Sequence, residues 1–149
     1  MKPIFTASIL NILAKIEAIK ADVEEALMLN AEGYLAEGTI SNIFFVKDNI
    51  LCTPSIECGI LDGITRAIIL DLAARNGMLV REGQFLPEDL FAASEVLITN
   101  TTMEVMPVRR VERKQFKAGD VARLLLKKYR EEIRGYLKEK KGASPSLWE

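Results

Sequence analysis

Histidine is missing from all 149 residues. Its absence excludes Ser-His-Asp triads, Cys-His pairs and histidine-ligated zinc. Proton transfer, if the chain performs any, falls to lysine, carboxylate or tyrosine. Cysteine is nearly as scarce. Cys52 and Cys58 have neither the spacing of a CxxC redox pair nor that of a zinc knuckle, and two thiols without a secretory signal point to a reducing cytosol. Charge of one sign is not in excess: 20 basic side chains face 21 acidic ones, so no net field draws the chain to nucleic acid or an anionic membrane. Long apolar runs are absent too. Stretches such as Ile43–Val46 and Ala67–Leu70 fall far short of the roughly 20 residues a membrane span needs. Met1–Phe5 carries one lysine, but Lys15 and Glu17 interrupt the apolar residues after it, so no signal peptide is expected. Together these absences describe a cytoplasmic protein.

What is present is an ordinary domain's worth of core. A chain of this length buries roughly two thirds of its unfolded surface, and a hydrophobic share of 49% with 28% charged residues excludes disorder, collagen and coiled coil. Apolar residues at Ile9, Ile12, Leu13, Ile16 and Ile19 have helical spacing over about Thr6 to Ala21, with Thr6 or Ser8 available as a cap. Glu25–Asn30 and Tyr34–Glu37 flank the turn-like Asn30-Ala31-Glu32-Gly33 and predict a hairpin. Ile43–Val46 and Ile50–Thr53 pair across Asp48-Asn49, and Pro54 stops the second strand. Ile64–Asn76 reads as a helix with Gly77 as a left-handed cap. Met78–Glu82, Glu95–Asn100 and Glu104–Val111 add strands, Pro87–Phe91 a helical turn, and Gly119 opens a last helix reaching about Lys141. No repeat or linker interrupts this pattern. The expectation is one α+β domain over 1–141, a mixed, mainly antiparallel sheet with three helices packed on it. The tail from Gly142 is expected to fray.

Three short stretches hold residues that could carry chemistry. In Leu61-Asp62-Gly63-Ile64-Thr65-Arg66 a glycine precedes a helix start whose free N–H groups favour an anion. It reads either as a phosphate cup or as a plain capped helix. Asn100-Thr101-Thr102 ends one strand with small hydrogen-bonding residues, a cradle for an anion or an ordinary turn. In Glu37-Gly38-Thr39-Ile40-Ser41-Asn42 a carboxylate stands at a strand end beside a glycine, where a flat ligand could lie; a surface glutamate beside a bulge is the plainer alternative.

Taken in order, these segments, with Thr53-Pro54, Cys58-Gly59-Ile60 and Met103-Glu104-Val105-Met106-Pro107-Val108, resemble the class IV aminotransferases. These are pyridoxal-phosphate enzymes that include branched-chain and D-amino-acid aminotransferases and aminodeoxychorismate lyases. The resemblance runs from about Leu10 to Tyr129 and implies the larger C-terminal domain of that fold, with a barrel-like sheet. It implies that Glu37 pairs with the pyridine nitrogen of pyridoxal phosphate, which keeps the ring protonated and electron-withdrawing. Ile64 and Thr65 then bind the phosphate, Leu61 packs on the ring, and Thr101 adds a phosphate contact. Thr102 and Met103 offer backbone N–H groups to the substrate carboxylate. The family's lysine serves as Schiff-base amine and proton shuttle. Counting back from the helix Leu10–Ala18 places it near Pro3 or Ile4, which makes Lys2 the candidate.

The resemblance covers only the C-terminal half of the family's chain, and the family's N-terminal domain has no counterpart here. The implied function is amino-acid transamination through a lysine Schiff base, or the lyase branch that releases pyruvate. The implied partners are an amino-acid or 2-oxo-acid substrate and a second copy of the chain, in a dimer. Thr39-x-Ser41-Asn42 looks closer to the lyase and D-amino-acid branches than to the branched-chain one. The competing expectation is a truncated, inactive scaffold whose uncovered apolar face drives self-association. A nucleic-acid role for the last helix is the weakest reading, because Glu131, Glu132 and Glu139 are interspersed among its basic residues.

Overall fold

A computed structural model describes residues 4–142 of the chain. The order of elements is α1 (Ile4–Lys20), β1 (Leu27–Leu29), β2 (Leu35–Gly38), β3 (Asn42–Lys47), β4 (Ile50–Pro54), α2 (Ile64–Arg75), β5 (Leu79–Gly83), α3 (Pro87–Phe91), β6 (Glu95–Asn100), β7 (Glu104–Pro107), β8 (Arg110–Val111), β9 (Lys114–Gln115) and α4 (Asp120–Gly142). Five strands form one sheet in the order β5-β4-β3-β6-β7. Among the described strands only β4 and β5 run parallel. Their connection contains α2, as a parallel crossover requires.

Side-chain alternation along the central strands builds two cores. Phe44, Val46, Leu51, Leu97 and Val105 face one side and pack with Ile69, Leu72 and Ala73 of α2 and Ala122, Leu125 and Tyr129 of α4. Ile43, Phe45, Cys52, Val96 and Ile98 face the other and meet Leu35, Phe85, Leu90, Ala93 and Phe116. Phe44, Phe45 and Leu97 are fully buried, which accounts for the unbroken apolar run in β3: both of its faces are covered.

The turn between β3 and β4 is tight because Asp48 and Asn49 both take positive φ, 52° and 61°, the geometry that matches the twist of a two-residue hairpin. Gly77 ends α2 at φ 73°, as its position predicts.

The α+β class stands, and the structure corrects the expected layout in four places. The sheet is open and not barrel-like: β5 and β7 are free edges of a five-stranded array. The segment expected as one strand over Glu104–Val111 divides, because β7 pairs with β6 while β8 pairs with β9 in a separate ribbon. The hairpin β1-β2 likewise forms its own two-stranded sheet. The first helix starts at Ile4, so Thr6 and Ser8 lie inside it, and it does not seat its apolar positions on the sheet. Ile9, Leu10, Ile12, Leu13, Ile16 and Ile19 are exposed, while Ala18 is buried. The frayed tail expected beyond Gly142 lies outside the described residues.

Candidate functional site

The strand ends nearest α2 enclose a pocket of about 440 Å³. Its walls are the 37–42 segment, the 61–65 segment and Thr99-Asn100-Thr101, with Asn11 of α1 at the rim. The three stretches singled out in the sequence therefore converge on one cavity.

Two carboxylates line the pocket, Glu37 on β2 and Asp62 before α2, and Glu37 is the half-buried one. Its Oε2 accepts a hydrogen bond from the Leu61 amide at 2.9 Å and one from Asn42 Nδ2 at 3.3 Å. Burial pushes its carboxyl pKa above the ordinary glutamate value, with the Leu61 amide and the Asn11 side chain pulling the other way. Desolvation therefore outweighs the donors while no cation is present. A cationic partner in the pocket would reverse that balance.

Asn42 ties two walls together. Its Nδ2 also donates to Leu61 O at 2.9 Å, and a Cβ on Gly63 would fall 2.2 Å from its Oδ1. Gly63 is thus needed for the close approach of Asn42, a protein group, where the sequence suggested close approach of a ligand. Gly38 behaves alike: its Cβ would meet Ser41 Oγ at 2.3 Å.

Opposite Glu37 stands the start of α2. Its N-cap, Gly63, has an extended backbone and offers no side-chain cap, so the first amides of the helix lack an internal partner and carry the positive end of its dipole. The last helix is different. Glu95 accepts from the Val121 and Ala122 amides at 3.4 and 3.2 Å, filling the equivalent position with protein charge. Thr65, on the first turn of α2, is buried at 2% exposure and its Oγ1 has no hydrogen-bond partner. Such an orphan is costly unless a ligand or water completes it. Leu61 and Ile64, at 72% and 73% exposure, present bare apolar side chains at the same walls.

The third wall differs in detail from the sequence expectation. Thr101 lines the pocket. The amides of Thr102 and Met103, however, are both taken by Asn100 Oδ1, at 2.9 and 2.6 Å. They are not free donors in this conformation. Asn100 Nδ2 donates to Ile40 O at 3.0 Å, which binds this turn to the 37–42 wall. Lys2 lies outside the described residues.

Sequence reasoning missed the residue that organises the 39–41 turn. The Glu25 carboxylate accepts from the Thr39 amide at 3.0 Å, the Ser41 hydroxyl at 2.9 Å, the Ala26 amide at 3.1 Å and the Thr39 hydroxyl. Nothing in the local pattern marked Glu25, because its partners lie 14 and 16 positions away. No cluster of histidine, cysteine or carboxylate able to hold a metal occurs among the described residues, and no described helix is long and apolar enough to cross a membrane.

An open α+β domain thus sets the uncapped start of a helix and a half-buried carboxylate on one pocket. The comparisons with known proteins agree with the resemblance read from the sequence. Residues 6–111 match the family model for amino-transferase class IV. The branched-chain-amino-acid aminotransferase of Pseudomonas aeruginosa is 42% identical over 113 residues, covering 76% of this chain and 36% of the relative. The aminodeoxychorismate lyase of Bacillus subtilis is 34% identical over 134 residues, covering 89% and 46%. The solved structure of the branched-chain aminotransferase from Thermobaculum terrenum in its PLP form superposes with a TM-score of 0.82 at 36% identity, covering 86% of this chain and 43% of that one. The chain belongs to the class IV aminotransferase family. It spans less than half the length of these relatives.

Proposed function

We propose that the pocket is this chain's share of a pyridoxal-phosphate site, acting in amino-group transfer to and from amino acids or in the lyase reaction that releases pyruvate. The observation that carries the proposal is the pairing of Glu37 with the uncapped start of α2 across one cavity, with the Thr65 hydroxyl unpartnered between them. The residues fit the group on chemical grounds: an anion at the helix amides and Thr65, a cationic ring nitrogen at Glu37, an apolar ring against Leu61 and Ile64.

Pyridoxal phosphate, when bound, supplies a reactive carbonyl and a ring that draws electrons from an adjacent carbon. Glu37 would hold the proton on the ring nitrogen, and the Leu61 amide and Asn42 would hold Glu37. Ile64, Thr65 and Thr101 would fix the phosphate. Thr102 and Met103 would meet a substrate carboxylate once Asn100 Oδ1 swings away from their amides. Lys2 is the proposed amine. As further proposals, the chain works in the cytoplasm, residues 1–141 act as one domain, and the substrate is an amino acid or 2-oxo acid.

The test is a titration of the 149-residue chain with pyridoxal phosphate, followed by absorbance. Saturable one-to-one binding is expected, weakened about tenfold or more in Glu37→Gln through loss of a charged partner. A chain that takes up none of the cofactor contradicts the proposal.

The exposed face of α1 favours one addition. We propose that the chain self-associates through Ile9, Leu10, Ile12, Leu13 and Ile16, apolar side chains open to solvent on one helix, the kind of surface that association covers.

A further inference from the structure

One polar atom at the pocket takes no part in the constellation of Glu37, Thr65 and Thr101. Thr99, on β6, is 0% exposed, lines the pocket, and has an Oγ1 with no hydrogen-bond partner. Thr53, equally buried on β4, donates its hydroxyl to Ile43 O at 2.7 Å. A strand threonine in this sheet does find an acceptor when one is in reach, and Thr99 has found none.

Its placement gives the orphan a direction. Leu97 faces α2 and α4, so two residues on, Thr99 faces the same side. Across the ladder its partner is Asn42, whose side chain reaches Glu37 and Leu61 at the pocket wall. The start of α2 covers this corner of the sheet, and there Thr65 carries the second unpartnered hydroxyl. The two orphaned hydroxyls thus belong to one layer, between the end of the sheet and the amides of the uncapped helix.

We propose that Thr99 is an oxyanion-binding residue, and that its hydroxyl joins Thr65 and the α2 amides in holding the phosphate of the cofactor. The inference rests on the function proposed above and adds a residue to it. In the sequence, Asn100-Thr101-Thr102 stands out as a turn, whereas Thr99 opens the same motif at the end of a strand and is given no role there. The structure distinguishes them: Thr101 is exposed at the rim, whereas Thr99 lies on the floor.

The experiment compares wild type, Thr99→Val and Thr99→Ser of the 149-residue chain, titrated with pyridoxal phosphate, pyridoxal and inorganic phosphate. Valine keeps the shape and removes the hydroxyl. Thr99→Val is expected to bind pyridoxal phosphate and phosphate about tenfold more weakly, the loss of one hydrogen bond to a charged group. Its affinity for pyridoxal should be unchanged, and Thr99→Ser should recover most of the loss. Unliganded Thr99→Val should melt at or above the wild-type temperature, because it no longer buries an unpaired hydroxyl. Equal binding of pyridoxal phosphate by wild type and Thr99→Val overturns the role of Thr99 alone. So does a loss of pyridoxal affinity as large as the loss for the phosphorylated form. A wild-type chain that binds no pyridoxal phosphate overturns the proposed function, and this inference with it.

Discussion

Glu37 carries two demands that conflict. The proposed function requires it to be charged beside a ring cation, yet burial disfavours its charge. A glutamate whose folded pKa is raised contributes stability below its unfolded value, near 4.5, and loses that contribution as pH rises through the folded pKa. Glu37→Gln should therefore melt higher than wild type at pH 7 and coincide with it near pH 4, while binding the cofactor less well at pH 7. Thermal scans across that range check the sign. A lower melting temperature at pH 7 would show that the Leu61 and Asn42 hydrogen bonds outweigh desolvation. A higher one makes the site an instance of stability given up for binding.

Glu25 differs in its donors: backbone amides and two hydroxyls converge on its carboxylate. Glu25→Ala strands the hydroxyls of Thr39 and Ser41 and leaves the Thr39 amide with Ala26 O as its acceptor, so a loss of about 2 kcal/mol in chemical unfolding is expected.

At the scale of elements, the site is built from ends: the end of β2, the end of β6, the start of α2. Their convergence depends on close approaches that glycine permits. Gly63→Ala would drive a methyl group into Asn42 Oδ1, displacing the side chain that holds Glu37 to the 61–63 loop. The expected result is a stability loss of about 1–3 kcal/mol together with weaker cofactor binding, read from the same unfolding and titration curves. If both are unchanged, the Asn42 bridge is not needed.

Much of this scale was legible in the sequence. Period and turn chemistry placed β3, β4 and α2 within a residue or two, because each has a clear apolar pattern bounded by Asp-Asn, Pro or Gly, and the Val-Leu-Ile-Thr run placed β6. The division of Glu104–Val111 was not legible, since strand propensity does not say which partner a strand will take. The binding of the 102 and 103 amides by Asn100 was hidden for a similar reason. An asparagine that folds back onto its own turn and one that leaves the turn open look alike in one dimension. Thr65 and Thr101 could be named from their motifs, whereas Thr99 and Glu25 acquire meaning only from what surrounds them.

At the scale of the whole molecule, two surfaces among the described residues bear on function. One is the pocket. The other is the apolar face of α1, which helical spacing identified but which spacing alone could not orient. The sequence pattern predicted an amphipathic helix covering the sheet, and the structure turns most of its apolar side chains outward. Asn11, on the same helix, reaches Thr39 O at 3.1 Å, so α1 touches the pocket wall through a polar residue while exposing its apolar ones. Association through this face should be concentration-dependent and sensitive to a single charge. Light scattering should show wild type larger than a monomer and Leu13→Glu shifted toward the monomer. A wild-type chain that stays monomeric at high concentration contradicts this part of the account.

The central claim is that three separate chain segments converge on one phosphorylated pyridine. Its most direct test is a crystal structure of the chain grown with pyridoxal phosphate. The account predicts the ring nitrogen within hydrogen-bond distance of Glu37 and the phosphate oxygens at the Ile64 and Thr65 amides. A cofactor bound with its nitrogen remote from Glu37, or its phosphate away from the start of α2, would contradict it.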